Sequence, residues 1–416
     1  MNHLFIHQNF PAQYRHICQQ LLQQECHKVV SIGMGKSPFK NSQNYVHIQY
    51  GVERSSSGGI HPWVTDIETK SIRAEACGKV CQELKSQGFE PDIICGHPGW
   101  GELLAIPYVW PQSPILMYQE FYYNEHGYDG NFDPEFDNQQ RDWSNKTKTH
   151  MKNANSLLNL HHATWNVTPT NFQRGSFPTQ FHQRFSVIHD GISNHAQPAP
   201  DKSNIKVQLG KHTILSDHDQ LITFVNRRVE PYRGCHSFIR AIPFIQEKNP
   251  SAIIVIVGST QGVSYGRPCP QGEWKDVFLK EIEGHYNPEK VLFVGQLPYQ
   301  DFLNLLKLSR VHVYLTYPFV LSWSLLEAMG TGCAIVGSST APVTEVIDDN
   351  VHGLLVNFFD PKEIAAGVTD LLHNSDRAAM LGKNAHQRVI EQYNLEHCLP
   401  RQLELINLVA RKVIGA

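Results

Sequence analysis

Short apolar runs alternate with longer amphipathic stretches along most of the 416 residues. Leu4 to His7, Val29 to Ile32, Asp92 to Cys95, Ile115 to Tyr118, Thr164 to Val167 and Phe185 to Ile188 have the length and composition of strands. Helical spacing fills the gaps. Pro11 suits the start of a helix, because the N–H it lacks would be unpaired there, and Ile17, Leu21 and Leu22 then form one apolar face. Ile72, Ala76, Val80 and Leu84 recur every four residues and stop near Gly88, which predicts a helix with a glycine terminator. Residues 51–65 and 124–145 are rich in Gly, Ser, Asn, Asp and Gln, and read as loops or insertions.

The stretch 196–220 changes character. Ala196-Gln197-Pro198-Ala199-Pro200 is followed by mostly polar residues, the composition of an interdomain linker. Alternation then resumes, with strands expected at 221–225, 252–257, 291–294, 311–315, 334–336 and 354–356 and helices at, for example, 302–308 and 364–372. Strands separated by helices imply parallel sheets covered on both faces. The expectation is an α/β protein of two Rossmann-like domains, with ligands beyond the carboxyl ends of the strands. Residues 1–195 form the first domain and 196–395 the second, including the linker. A last helix, starting near Pro400 in the segment 396–416, packs on the first domain.

Composition narrows the function. Hydrophobic residues at 41% and charged residues at 18% describe a globular chain. A formal charge of −3 argues against nucleic acid as the main partner. Nine cysteines without a CxxC pair fit a reducing compartment and no structural zinc. No stretch approaches the ~20 apolar residues of a spanning helix, and the N-terminus lacks a basic region before its apolar run. The expected location is cytoplasmic, with room for a peripheral membrane contact. Three local patterns are decoys. Gly33-Met34-Gly35-Lys36-Ser37 ends like a phosphate loop, but Val30 stands where that loop needs its first Gly. Asp217-His218-Asp219 lies in a polar, solvated stretch, and His161-His162 lacks a third ligand.

The informative residues lie in the second half. Asn226-Arg227-Arg228-Val229-Glu230-Pro231-Tyr232-Arg233-Gly234 follows a strand and opens a helix. Arg227 and Arg233 flank this turn and are placed to grip a diphosphate; a plain solvated turn would look the same. Phe319-Val320-Leu321-Ser322-Trp323-Ser324 follows the strand ending at Leu315. Ser322 is a helix N-cap candidate, and N–H groups there would face an anion. Glu327, one to two turns on, is set among Leu325, Leu326 and Met329, where a carboxylate could accept from ribose hydroxyls.

Together these segments resemble the retaining glycosyltransferases of family 4, over nearly the whole chain, and in particular cyanobacterial exopolysaccharide-type glucosyltransferases. The resemblance implies the GT-B arrangement, two Rossmann-like domains whose sheets face each other across a cleft. It implies that Arg227 and Arg233, the latter standing where Lys is usual, bind the donor diphosphate. It implies that Glu327, the second Glu of an E-x7-E pattern, binds ribose, that the backbone from Phe319 and Val320 through Leu321, Ser322, Trp323 and Ser324 meets donor phosphates and sugar, and that Leu297 in Gly295-Gln296-Leu297 reads the base. Two positions depart from the pattern. The first Glu is Phe319, so sugar selection is arranged differently, and the N-terminal Gly-Gly loop reads Phe10-Pro11-Ala12-Gln13, leaving Gln13 as its donor-side residue.

In the first domain, His97 stands just past the strand Asp92 to Cys95, where the resemblance implies a catalytic His near the transferred sugar. Glu120, after the strand Ile115 to Tyr118, is the acceptor-side candidate. The implied reaction is metal-independent transfer of a sugar, with UDP-glucose the preferred donor, to a saccharide or lipid-linked saccharide in exopolysaccharide synthesis, without a resident cofactor. No paired carboxylates suit a double displacement, so retention would follow a same-face, oxocarbenium-like route with Arg227, Arg233 and a helix N-terminus stabilising the leaving diphosphate. Two other readings stay open: a UDP-GlcNAc 2-epimerase-like enzyme, and a non-catalytic nucleotide-sugar binding protein.

Overall fold

In the computed structural model, residues 1–136, 142–210 and 213–415 are described. The chain divides into two compact units. The first holds Met1–Asn131, the segment ending at Asp190, and Cys398 onward; the second holds Phe132–Phe136 and Gly191–His397.

The first unit is built on one sheet. Its strands are β1 (Asn2–Ile6), β2 (Lys28–Gly33), β3 (Tyr45–Gln49), β4 (Ile93–Gly96), β5 (Ile115–Tyr118), β6 (Trp165–Thr168) and β7 (Phe185–Val187). They run in the order β3-β2-β1-β4-β5-β6-β7, every pair parallel. The second unit opens with the antiparallel hairpin β8 (Val207–Leu209) and β9 (Thr213–Leu215). Its sheet comprises β10 (Leu221–Arg228), β11 (Ile253–Ser259), β12 (Val291–Gly295), β13 (Val311–Tyr314), β14 (Ala334–Ser338) and β15 (Leu354–Val356), in the order β12-β11-β10-β13-β14-β15 and all parallel.

These strands read as continuous apolar runs because helices cover both faces of a parallel sheet. Leu4, Ile6, Ile32 and Ile94 are fully enclosed in the first core, and Phe224, Ile254, Val313 and Val336 in the second. In each sheet the order reverses direction once, between β1 and β4 and between β10 and β13. Strands on either side of such a switch point send their following loops in opposite directions, which leaves a crevice at their carboxyl ends.

Several expectations are corrected. The expected contiguous first domain is interrupted, because Phe132 and Phe136 pack into the second core beside Phe358 and Trp274. The boundary falls at Asp190/Gly191 rather than after residue 195. The stretch 196–220 is more than a linker, since Val207, Leu209 and Leu215 of the hairpin are buried in the second core. The helix at 65–86 buries Ala74, Cys77, Gly78, Cys81 and Leu84, leaving Ala76 and Val80 half-exposed. A strict four-residue series drifts off one face of a 3.6-residue helix, and the small side chains mark the true seam. The last helix starts at Leu395, with Pro400 inside it, and its Leu405, Ile406 and Val409 join Phe5, Tyr14 and Ile17 in one core cluster. Among the described residues no helix is long and apolar enough to cross a membrane.

Candidate functional site

In the second unit the residues singled out from the sequence gather at the β10/β13 switch point. The strand β10 runs on through Arg227 and Arg228 into Glu230, a short 3-10 turn Pro231–Arg233, and the helix Cys235–Lys248. Gly234 joins turn to helix at φ 71°, and a Cβ there would stand 2.4 Å from Leu315 Cβ. Only glycine allows that backbone so close to the chain following β13.

The two arginines fare differently. Arg227 is exposed and makes no hydrogen bond or ion pair among the described residues, so its charge faces solvent. Arg233 is 6% exposed. Its Nη1 donates to Thr316 Oγ1 at 2.7 Å and to Val320 O at 3.0 Å, and it lies over the rings of Tyr265 and Phe319. Arg233 therefore shapes the loop 316–320, while Arg227 is open to a ligand. Phe319 packs edge-to-face with Tyr232 and tilted against Tyr265, with ring centroids 5.1 and 5.0 Å apart, so an aromatic cluster stands where the resemblance leads one to expect a carboxylate.

Glu230 gives this cluster its roof. The carboxylate is fully buried and accepts from the backbone N–H of Ser264, Tyr265 and Gly266 at 3.1, 3.3 and 3.0 Å. That clasp holds the 264–266 loop with Tyr265 over Arg233. The sequence offered only the Glu-Pro pair as a hint, since its partners lie more than thirty positions away.

Ser322 caps the helix Trp323–Gly330, its Oγ accepting from Ser324 N at 3.3 Å, while its own N–H donates to Tyr314 Oη at 2.9 Å. Leu321 and Ser324 are buried and Trp323 is 44% exposed. Four N–H groups at a helix start lack helical partners, so this end attracts negative charge. Glu327 is half-buried on the same helix, and burial pushes its carboxyl up to about 7 against a hydrogen bond from Tyr299. Tyr299 begins the helix Tyr299–Leu308, two residues beyond Leu297, which is partly buried after the turn at Gly295. Tyr299 is a partner that sequence reading missed, since nothing local sets it apart from any helix-start tyrosine.

In the first unit, β4 ends at Gly96 and His97 caps the following 3-10 turn, its Nδ1 accepting from Gly99 N at 3.0 Å. A Cβ on Gly99 would meet the His97 ring at 2.6 Å, so the glycine is what lets the cap form. His97 Nε2 lies 3.7 Å from Glu120 Oε2, which places these two residues together. Gln13 sits on the 3-10 turn Ala12–Tyr14, and Ala12 adopts φ 40°, in the region that favours glycine.

Among the described residues one group could converge on a metal ion: Asp133, Glu135 and His236. Its oxygens are already committed. Asp133 accepts from Tyr317 Oη at 2.7 Å, and Glu135 takes both Nη atoms of Arg240. The group works as a staple holding 132–136 to the second core. A cavity of about 420 Å³, lined by Lys202, Ser309, Arg310 and Ala334, lies at the amino ends of the second sheet, away from the switch point.

Residues 25–196 match the family model described as Glycosyl transferase family 4 group, and residues 211–388 the one described as Glycosyl transferases group 1. Between them the two models cover most of the chain, which is a glycosyltransferase of the family 4 and group 1 type. An uncharacterized glycosyltransferase of Methanocaldococcus jannaschii is 29% identical over 168 residues, about two fifths of either chain. Two solved structures share the fold of this glycosyltransferase across almost its whole length. Sucrose-phosphate synthase of Thermosynechococcus elongatus superposes with a TM-score of 0.71 at 17% identity, over 98% of this chain and 99% of its own. Anabaena HepE, solved with UDP and glucose, gives 0.67 at 14% identity, over the same shares. The two Rossmann-like units are thus those of a GT-B glycosyltransferase.

Proposed function

We propose that the protein transfers a sugar, with UDP-glucose the favoured donor, to a saccharide or lipid-linked saccharide acceptor in exopolysaccharide synthesis, with retention at the anomeric carbon and without a metal. The observation that carries this is the β10/β13 switch point, where an unpaired Arg227, the start of the helix Trp323–Gly330 and Glu327 are gathered. Arg227 and the helix N–H groups suit a diphosphate, and Glu327 suits a ribose diol. The complex of HepE with UDP and glucose supports the choice of donor.

In the reaction the bond from the anomeric carbon to the diphosphate oxygen breaks and the acceptor oxygen bonds on the same face. The departing phosphate takes the acceptor proton. Nearby carboxylates are otherwise engaged: Glu230 holds three backbone amides and Glu327 is bonded to Tyr299. That favours the same-face route over a covalent sugar–enzyme intermediate. The protein contributes positive charge where negative charge builds. Acceptor-dependent release of UDP from a panel of UDP- and GDP-sugars tests the reading. Release with one UDP-sugar in EDTA supports it. An acceptor-independent change of UDP-GlcNAc would favour an epimerase, and no nucleotide binding would refute the assignment.

A further inference from the structure

His7 follows β1 as His97 follows β4, and the ladder sets them level, since Ile6 pairs with Gly96. They flank the switch point of the first sheet. Both residues are 2% exposed. They share one local device: His7 Nδ1 accepts from Asn9 N at 2.9 Å and His97 Nδ1 from Gly99 N at 3.0 Å. A backbone N–H only donates, so each neutral imidazole carries its proton on Nε2.

Both Nε2 atoms are sealed from solvent and meet no protein acceptor at hydrogen-bonding geometry among the described residues. Glu120 Oε2 stands 3.7 Å from that of His97, and the Gln13 side chain is a weak, poorly aligned hydrogen-bond partner of His7. The rings are 5.2 Å apart, and the Trp100 ring lies 4.8 Å from one and 4.5 Å from the other. Two buried N–H donors without a well-placed protein acceptor, beside an aromatic wall and a carboxylate, form a site whose needs a sugar meets: hydroxyl oxygens accept, and a hydroxyl proton can go to Glu120. Burial, with His97 beside it, holds His7 down to about 2, so His7 is a fixed neutral donor rather than an acid or base.

We propose that His7 is a substrate-binding residue which, with His97, donates from Nε2 to hydroxyl oxygens of a sugar. This rests on the transferase reading above.

The test compares His7→Phe, which keeps a buried ring but removes the donor, with His7→Gln, whose amide can reach the place of Nε2. UDP release from UDP-glucose, UDP affinity and melting temperature are measured on wild type and both variants. The expected result for His7→Phe is at least a tenfold loss of turnover, with UDP affinity and melting temperature near wild type, and partial recovery in His7→Gln. Turnover of His7→Phe within twofold of wild type overturns the proposal. So does an equal loss in both variants that tracks a fall in melting temperature, which is the signature of a packing role or of a structural water alone. Failure of the wild type to bind UDP instead removes the transferase reading, and the proposal with it.

Discussion

The two sheets reverse direction in the same way, yet their switch points carry different chemistry. At β10/β13 the crevice is lined by an exposed arginine, a helix start and a carboxyl raised to about 7. At β1/β4 it is lined by two buried neutral histidines, Trp100 and the half-exposed Glu120. The first combination suits a dianion and a diol, the second an uncharged polyhydroxyl ligand. On the proposed reading one scaffold would serve two ligand chemistries, because the loops beyond the strands can vary while the strands cannot.

The sharpest break in this contrast is at Arg227. Arg227→Ala should cost about 2–4 kcal/mol of transition-state stabilisation, roughly thirty- to thousand-fold in kcat/KM. Its melting temperature should stay within a degree or two, because the side chain is exposed. Arg233 should behave in the opposite sense. Its hydrogen bonds to Thr316 and Val320 are charge-assisted and enclosed, so Arg233→Ala should lower stability by about 2–3 kcal/mol in a denaturant titration. A variant as stable as wild type would return Arg233 to a purely ligand-binding role.

Glu327 sharpens the comparison through pH. Its folded carboxyl titrates near 7, above the ordinary range, because of burial. The folded state therefore holds this proton more tightly than the unfolded chain. Its contribution to stability is full below the unfolded value and is lost as pH rises through about 7. A ribose diol donates to the ionised form. UDP-glucose affinity should accordingly rise roughly tenfold from pH 6 to 8, and Glu327→Gln should flatten the profile in calorimetric titrations. The smallest expected effect is that of EDTA, which should leave UDP-glucose affinity within twofold.

Much of this was legible in the sequence, and the limits have physical causes. The sheets were readable because strands buried on both faces carry unbroken apolar runs, as Ile115 to Tyr118 and Leu354 to Val356 do. The strand β3 was not, because Tyr45–Gln49 buries only its first residue. The strap 132–136 sits in a polar loop, and its anchors Phe132 and Phe136 find their partners more than a hundred residues away. At the site, Arg227 and Ser322 stood out because one ends a strand and the other caps a helix, and Glu327 because a carboxylate is set among apolar helix neighbours. Glu230, Tyr265, Tyr299 and His7 did not, since their roles arise from long-range pairings or from a register set by another strand. The unequal burial of Arg227 and Arg233 could not be read from six residues of spacing.

The most direct test of the central claim is calorimetric titration of UDP-glucose, in EDTA, into the wild type and Arg227→Ala. The account predicts metal-independent binding by the wild type and at least a tenfold loss in the variant, with melting temperatures unchanged. Equal affinity in the two proteins, or no binding by the wild type, would contradict it.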